Sequence, residues 1–312
     1  MKTLATAATV ILALTTTAAH ALNARTWVSG KGSDSSGCGP IATPCRSLQY
    51  GHDQTNPGGE VDVLDSAGYG ALVISKAITI IGDGTIAGVL AQPGGVAIDI
   101  NAGASDAVIL RGLTVEGQGS GINGIRFNSG GSITIADCVV QNFVGSGLTD
   151  GIGILLQPST GTTSISVSNT TVSYNGFAGI AVRPTGSGSA DARIDKVVAN
   201  NSVRGVVINA TVTTGTATGT VTGSVGSANS TFAFSAQGAT GKMMIDDSVA
   251  SGNIAGFQAS NGGIIYVGRS TAVGNGFGFA GNSTIFTYQN NQIDLNDSDV
   301  GGGLTLTNAT SR

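Results

Sequence analysis

Few side chains in this 312-residue chain have types and spacings that could do chemistry. Asp195 and Asp246 each follow an equivalent aliphatic residue, Ile194 and Ile245, and Asp247 adjoins the second of them. Two carboxyl groups held about 5–10 Å apart would suit glycoside hydrolysis. Several clustered carboxylates with a basic neighbour would suit a calcium-assisted lyase. Asp195, Asp246 and Asp247 are therefore the candidate catalytic residues, and Asp246 with Asp247 could share a cation. Arg126, Asp150 and Arg183 stand beside Gly-rich stretches and are the candidate ligand-binding residues, because loops carry function. Cys38 and Cys45 flank a loop containing Gly39, Pro40 and Pro44, with no other Cys or His at ligand spacing, so they are expected to form a disulfide rather than a metal site. Cys138 is isolated and reads as a small core residue.

What must position these residues is a repeat. From Leu110 the same phrase returns at Ile135, Val167, Ile194, Val221, Ile245 and Val267, at intervals of 25, 32, 27, 27, 24 and 22 residues. Each phrase holds a short strand at the anchor, a second run of small and β-branched residues, an Asn-rich corner, and a Gly followed by alternating apolar residues. Gly124-Ile125-Arg126-Phe127 and Gly179-Ile180-Ala181-Val182 are instances of the last part. Fixed-period self-similarity marks a solenoid, and 22–32 residues fit three short strands better than a pair of helices. With 50 Gly and 6 Pro, helix propensity is poor throughout. The expected fold is all-β: a right-handed parallel β-helix, a three-sheet solenoid of about nine coils.

The flanks read differently. Residues 1–21 combine Lys2, a short apolar run and Ala19-His20-Ala21, the pattern of a signal peptide. That run is too short to span a bilayer, and no transmembrane segment is expected elsewhere. The chain is thus read as exported, to a periplasm or beyond the cell. Residues 22–60, with Trp27, the two-Cys loop and a short helix between Pro44 and Thr55, form an N-terminal cap over the open solenoid end. Residues 61–296 form the β-helix, and 297–312 a C-terminal edge strand and tail. Asn175, Asn229, Asn253 and Asn275 hold one offset from their anchors, with Asn142 and Asn201 one residue early, which suggests a stacked amide ladder at a corner.

The Gly-Ile-x-aliphatic strand after an Asn corner resembles the pectate-lyase-like right-handed β-helix superfamily. So does the opening run from Gly58 through Asp62 to Ile74 and Asp83-Gly84. The whole looks closest to small secreted bacterial β-helix proteins with a two-Cys N-terminal loop. The resemblance implies a fold and leaves function open, because lyases, hydrolases, esterases, epimerases and non-catalytic surface proteins share it.

In that superfamily active groups project from the outer face of one sheet. Here the outward column reads Arg126, Leu155, Ala181, Val207, Ala233, Gln258 and Ala280, with one base and no carboxylate, and its apolar members could also meet a protein partner. His52 is the one His beyond the leader and falls in the cap, so polygalacturonase-like His motifs are missing. Asp137, Lys196, Asp247 and Arg269 share the position two past the anchor, and their alternating signs equally describe a solvated, self-neutralising surface. Asp195 and Asp246 should lie two coils, about 9–10 Å, apart. The formal charge of −4 and dispersed Lys and Arg disfavour nucleic acid as a partner. No cofactor motif appears, and calcium is supported by nothing specific. Two readings follow: a non-catalytic secreted β-helix that binds extracellular polysaccharide or cell-surface glycan, or serves as an envelope or adhesive surface; or a polysaccharide lyase, glycoside hydrolase or epimerase.

Overall fold

Strands of two to nine residues, each too short to be stable alone, gain their partners one coil away. The computed structural model describes residues 22–309, so the expected leader at 1–21 lies outside the described residues. Three parallel sheets run the length of the molecule. The first has 12 strands, from Asn23–Val28 to Thr305–Asn308; the second has 10, from Ala67–Gly68 to Gln292–Asp294; the third has 10, from Leu72–Ile74 to Ser298–Val300. The anchors Leu110, Ile135, Val167, Ile194, Val221, Ile245 and Val267 stand in one register column of the first sheet. All seven are fully buried. Inward residues of the other sheets stack likewise, as in the Phe234, Phe257 and Phe279 column, whose ring centroids are 5.8 and 5.7 Å apart. A parallel β-helix is the architecture.

Each coil turns twice through a single left-handed residue. Between the first and second sheets this is Gly112, Asp137, Asn169, Lys196, Gly223, Asp247 or Arg269, all at positive φ. The charges at this position therefore ride on a corner, and Asp137 and Asp247 are there as residues that tolerate left-handed backbone. Between the second and third sheets the left-handed position holds Asn142 (φ 64°), Tyr174, Asn201 (φ 51°) and Ala228. The amide ladder is the next position: Asn229 Nδ2 donates to Asn253 Oδ1 (3.1 Å), Asn253 to Asn275 (2.9 Å) and Asn275 to Asn296 (3.0 Å). Asn142 and Asn201 are thus not early members of the ladder; they make the corner, and Phe143 and Ser202 take the ladder position beside them. A hydroxyl ladder parallels it, with Ser224, Ser248 and Ser270 Oγ accepting the N–H of Val197, Ser224 and Ser248.

Gly205 opens its third-sheet strand for reasons of space. A Cβ there would lie 2.3 Å from the Ala233 carbonyl oxygen of the next coil. In that coil Ala233 stands at the matching position, and Gly226 provides the room: a Cβ on it would lie 2.6 Å from that of Ala233.

At the N-terminal end the helix Leu48–Gln54 packs Leu48, Gly51 and His52 against the first coil. Ser47 caps it, accepting from Tyr50 N. Asp65 ties cap to coil by accepting from Ser29 Oγ (2.7 Å), Gly30 N (2.7 Å) and Tyr69 Oη (2.6 Å). The Cys38–Cys45 disulfide is formed, and the loop it closes hydrogen-bonds to Trp27 on both sides.

Candidate functional site

The outer face of the third sheet is built by alternation: every second residue of strands such as Asn123–Ser129 and Ala178–Val182 must point away from the core. Its central column runs Val73, Asp99, Arg126, Leu155, Ala181, Val207, Ser235, Gln258 and Ala280. This corrects the sequence expectation in two places. Ser235, not Ala233, is the outward residue of its coil; Ala233 is fully buried in the core. The strand Phe232–Gln237 lacks the leading Gly that set the register elsewhere. The column also holds a carboxylate after all, Asp99, one coil before Arg126.

Asp99 is fully engaged. Arg126 donates to it through Nε (2.8 Å) and a terminal nitrogen (2.9 Å), and Asn128 (2.8 Å) and Asn101 (3.3 Å) add amide donors. Partial burial pushes the Asp99 carboxyl up, but the Arg126 guanidinium and the two amides outweigh it and hold the group below the usual carboxylate range. Beside this pair a row of side-chain amides continues: Gln157 donates to Asn128 (2.9 Å), and Asn209 to Gln237 (3.1 Å). Arg183 interrupts the row.

Arg183 and Arg204 differ from Arg126 on the same face. Each is half-buried, desolvation lowers the pKa of each, and the Nε of each is buried without an acceptor. Arg204 aligns with Ala178 of the preceding coil and Phe232 of the next. Its guanidinium lies 4.1 Å from the Phe177 ring centroid and 5.3 Å from that of Phe232. The face is closed at one margin by the insertion at residues 144–151. There Asp150 accepts from Gly147 N (2.6 Å), and Asn123 Nδ2 donates to Thr149 O (2.7 Å). Asp150 thus shapes a loop, while Arg126 and Arg183 lie on the sheet itself. Arg204 and Asp99 were missed in the sequence: strict alternation from Ile98 would have pointed Asp99 outward, whereas Arg204 lies an even step from the inward Val206 and faces outward only because alternation breaks at Gly205.

On the first sheet, Asp195, Thr222 and Asp246 align in one column, so the two carboxylates stand two coils apart with Thr222 between them. Asp195 accepts from Thr222 Oγ1 at 2.7 Å, and Asp246 is ion-paired with Arg269. A depression of about 510 Å³ is lined by Asp191, Arg193, Asp195, Thr220 and Thr222. Asp247 is on the corner, apart from this depression. Among the described residues no three His, Cys, Asp or Glu side chains gather as metal ligands. Burial pushes the Cys138 thiol up to about 11, so it stays protonated.

No family model matches the chain, and no curated protein matches it. Among solved structures it is similar to pectate lyase Pel9A, with 14% identity and a TM-score of 0.50, over 93% of this chain and 80% of that one. It is also matched by the A-module of the Azotobacter vinelandii mannuronan C-5 epimerase AlgE6, with 11% identity and a TM-score of 0.43, over 81% and 92%. No helix among the described residues is long and apolar enough to cross a membrane. The likeness to the lyase is one of fold: the chain is a three-sheet parallel β-helix.

Proposed function

We propose that this is an exported, non-catalytic β-helix protein that binds extracellular polysaccharide along the outer face of its third sheet. The observation that carries the reading is the state of that face. Its central column has one carboxylate, Asp99, and Arg126 with two amides already saturates it. A general acid or base must be free to exchange a proton with substrate, and Asp99 is held ionised. What remains is a recognition chemistry: amides at Asn128, Gln157, Asn209 and Gln237, guanidinium groups at Arg183 and Arg204, and a small apolar floor at Ala181 and Val207. Amide and guanidinium donors on a rigid sheet suit the hydroxyl and carboxyl groups of a glycan chain.

The enzyme reading rests on the fold shared with a pectate lyase and on the first-sheet column. There Asp195 and Asp246 would be the acids, with Asp247 behind them, and the separation of two coils suits an inverting pair. The occupation of Asp246 by Arg269 weighs against it.

Native gels cast with neutral and with acidic polysaccharides separate the two readings. Retardation with polymer length unchanged is the expected result, and shortened polymer would overturn it. In the latter case activity should fall on Asp195→Ala or Asp246→Ala. Neither retardation nor shortening would direct attention to a protein partner on the apolar positions of the column.

A further inference from the structure

Eight arginines lie within the described residues, and five of them have partners. Arg25, Arg111, Arg126 and Arg269 pair with carboxylates, and Arg46 donates to the Gly68 carbonyl. Of the remaining three, Arg193 is exposed on the first sheet. Arg183 and Arg204 are half-buried, and both lie on the outer face of the third sheet. Removing a guanidinium from water without giving it a carboxylate is costly, and the molecule does so twice on one face. Arg204 is also oriented. With Phe177 on one side and Phe232 on the other, its π faces are covered by cation–π contacts. Its Nε is buried, so only the terminal nitrogens are left to meet a ligand. They make no hydrogen bond to any described residue. A planar fork held this way matches a two-oxygen acceptor.

We infer that Arg204, held between Phe177 and Phe232, is the anion subsite of this face, with Arg183 across the Ala181 and Val207 floor as its second cation. The ligand group is a carboxylate or a sulfate ester carried on a polymer. The inference rests on the polysaccharide reading for the polymer and on the geometry of Arg204 alone for the charge. Its consequence is selectivity. A neutral glycan meets only amides here, whereas an acidic one meets two cations, of which Arg204 is already oriented by its two rings.

The test uses the full protein in gels of polygalacturonate, a sulfated galactan and a neutral glucan, alongside Arg204→Gln, Arg204→Lys and, for comparison, Arg193→Gln. The expected result is retardation by one or both acidic polymers at least tenfold tighter than by the glucan. Arg204→Gln should abolish that difference, Arg204→Lys should restore it only in part, and Arg193→Gln should leave it intact. Whichever acidic polymer is preferred identifies the carboxylate or the sulfate. Equal retardation by all three polymers, unchanged in Arg204→Gln, would overturn the subsite and leave the polysaccharide reading standing. If no polymer is retarded, that reading falls, and the subsite is then decided on the wild-type protein by NMR. Glucuronate and inorganic sulfate are titrated while the arginine side-chain resonances are followed. A saturable shift at Arg204 absent at Arg193 supports the subsite; no shift overturns it.

Discussion

At the scale of single residues, two positions deviate from an otherwise regular pattern and give measurable consequences. Asn175 should donate its amide along the ladder, but the next coil offers Ser202 in place of Asn, and Asn175 Nδ2 is left buried without a partner. A buried unpaired donor costs about 1–3 kcal/mol. Ser202→Asn should complete the ladder and stabilise the protein by about 1 kcal/mol, read as a rise in Tm. The second position is Asp99. Its carboxyl is held below its ordinary value of 3.8, so the stability it contributes is complete above that pH and is lost as pH falls through the lower folded value. Asp99→Asn should therefore cost about 1–2 kcal/mol at neutral pH, discounted for the partial exposure of the pair. In melts run from pH 7 down to pH 2 the gap between variant and wild type should close at the acid end. Residues of this kind are hard to find in a sequence. Asp99 lies in a coil without the leading Gly that marks the repeat, and its partner Arg126 is 27 positions away. Asn175 has its proper offset, and only its neighbour reveals the fault.

At the scale of elements, the anchor strands were legible because period-two alternation and a fixed return interval constrain each other. The seven anchors fall in one column as spaced. The third sheet was legible wherever Gly led the strand and misplaced by two residues where Ala233 replaced it, because Gly226 opposite supplies the missing space and the two changes are far apart in sequence. The same crowding predicts that Gly205→Val, whose Cβ would press on the Ala233 carbonyl, costs about 3 kcal/mol or more. Unchanged thermal stability would contradict the packing described. The capping helix carries a pH dependence of the opposite chemical type. His52 is buried, with Nδ1 2.8 Å from Asp53 and Nε2 accepting from Ser75 N, and burial lowers its pKa despite Asp53, with Lys76 nearby acting in the same direction as burial. Neutral His52 is the folded form, so its contribution is full above about pH 6.5 and declines as pH falls towards the lower folded value. Protection factors of the helix amides, corrected for intrinsic exchange, should fall between pH 6.5 and 5 in the wild type and stay flat in His52→Gln.

At the scale of the whole molecule, each rung touches only the rung before and the rung after, so stability is a sum of local contributions. Loss of the Cys38–Cys45 link, which closes a sequence separation of 7, should cost about 2 kcal/mol by chain entropy. That loss should be felt in the cap and first coils, with amide protection in the strands Gly241–Asp246 and Ile264–Gly268 unaltered. The sheet ladders and the two side-chain ladders all run along the solenoid axis. A force applied along that axis therefore loads the hydrogen bonds of one rung at a time, in series, and peels the molecule rather than shearing it. Each rung released would free 22–32 residues between anchors, roughly 75–110 Å of extended chain. Stretched between its ends, the protein should lengthen in a staircase of that step size, a yielding tether whose low force is set by a single coil.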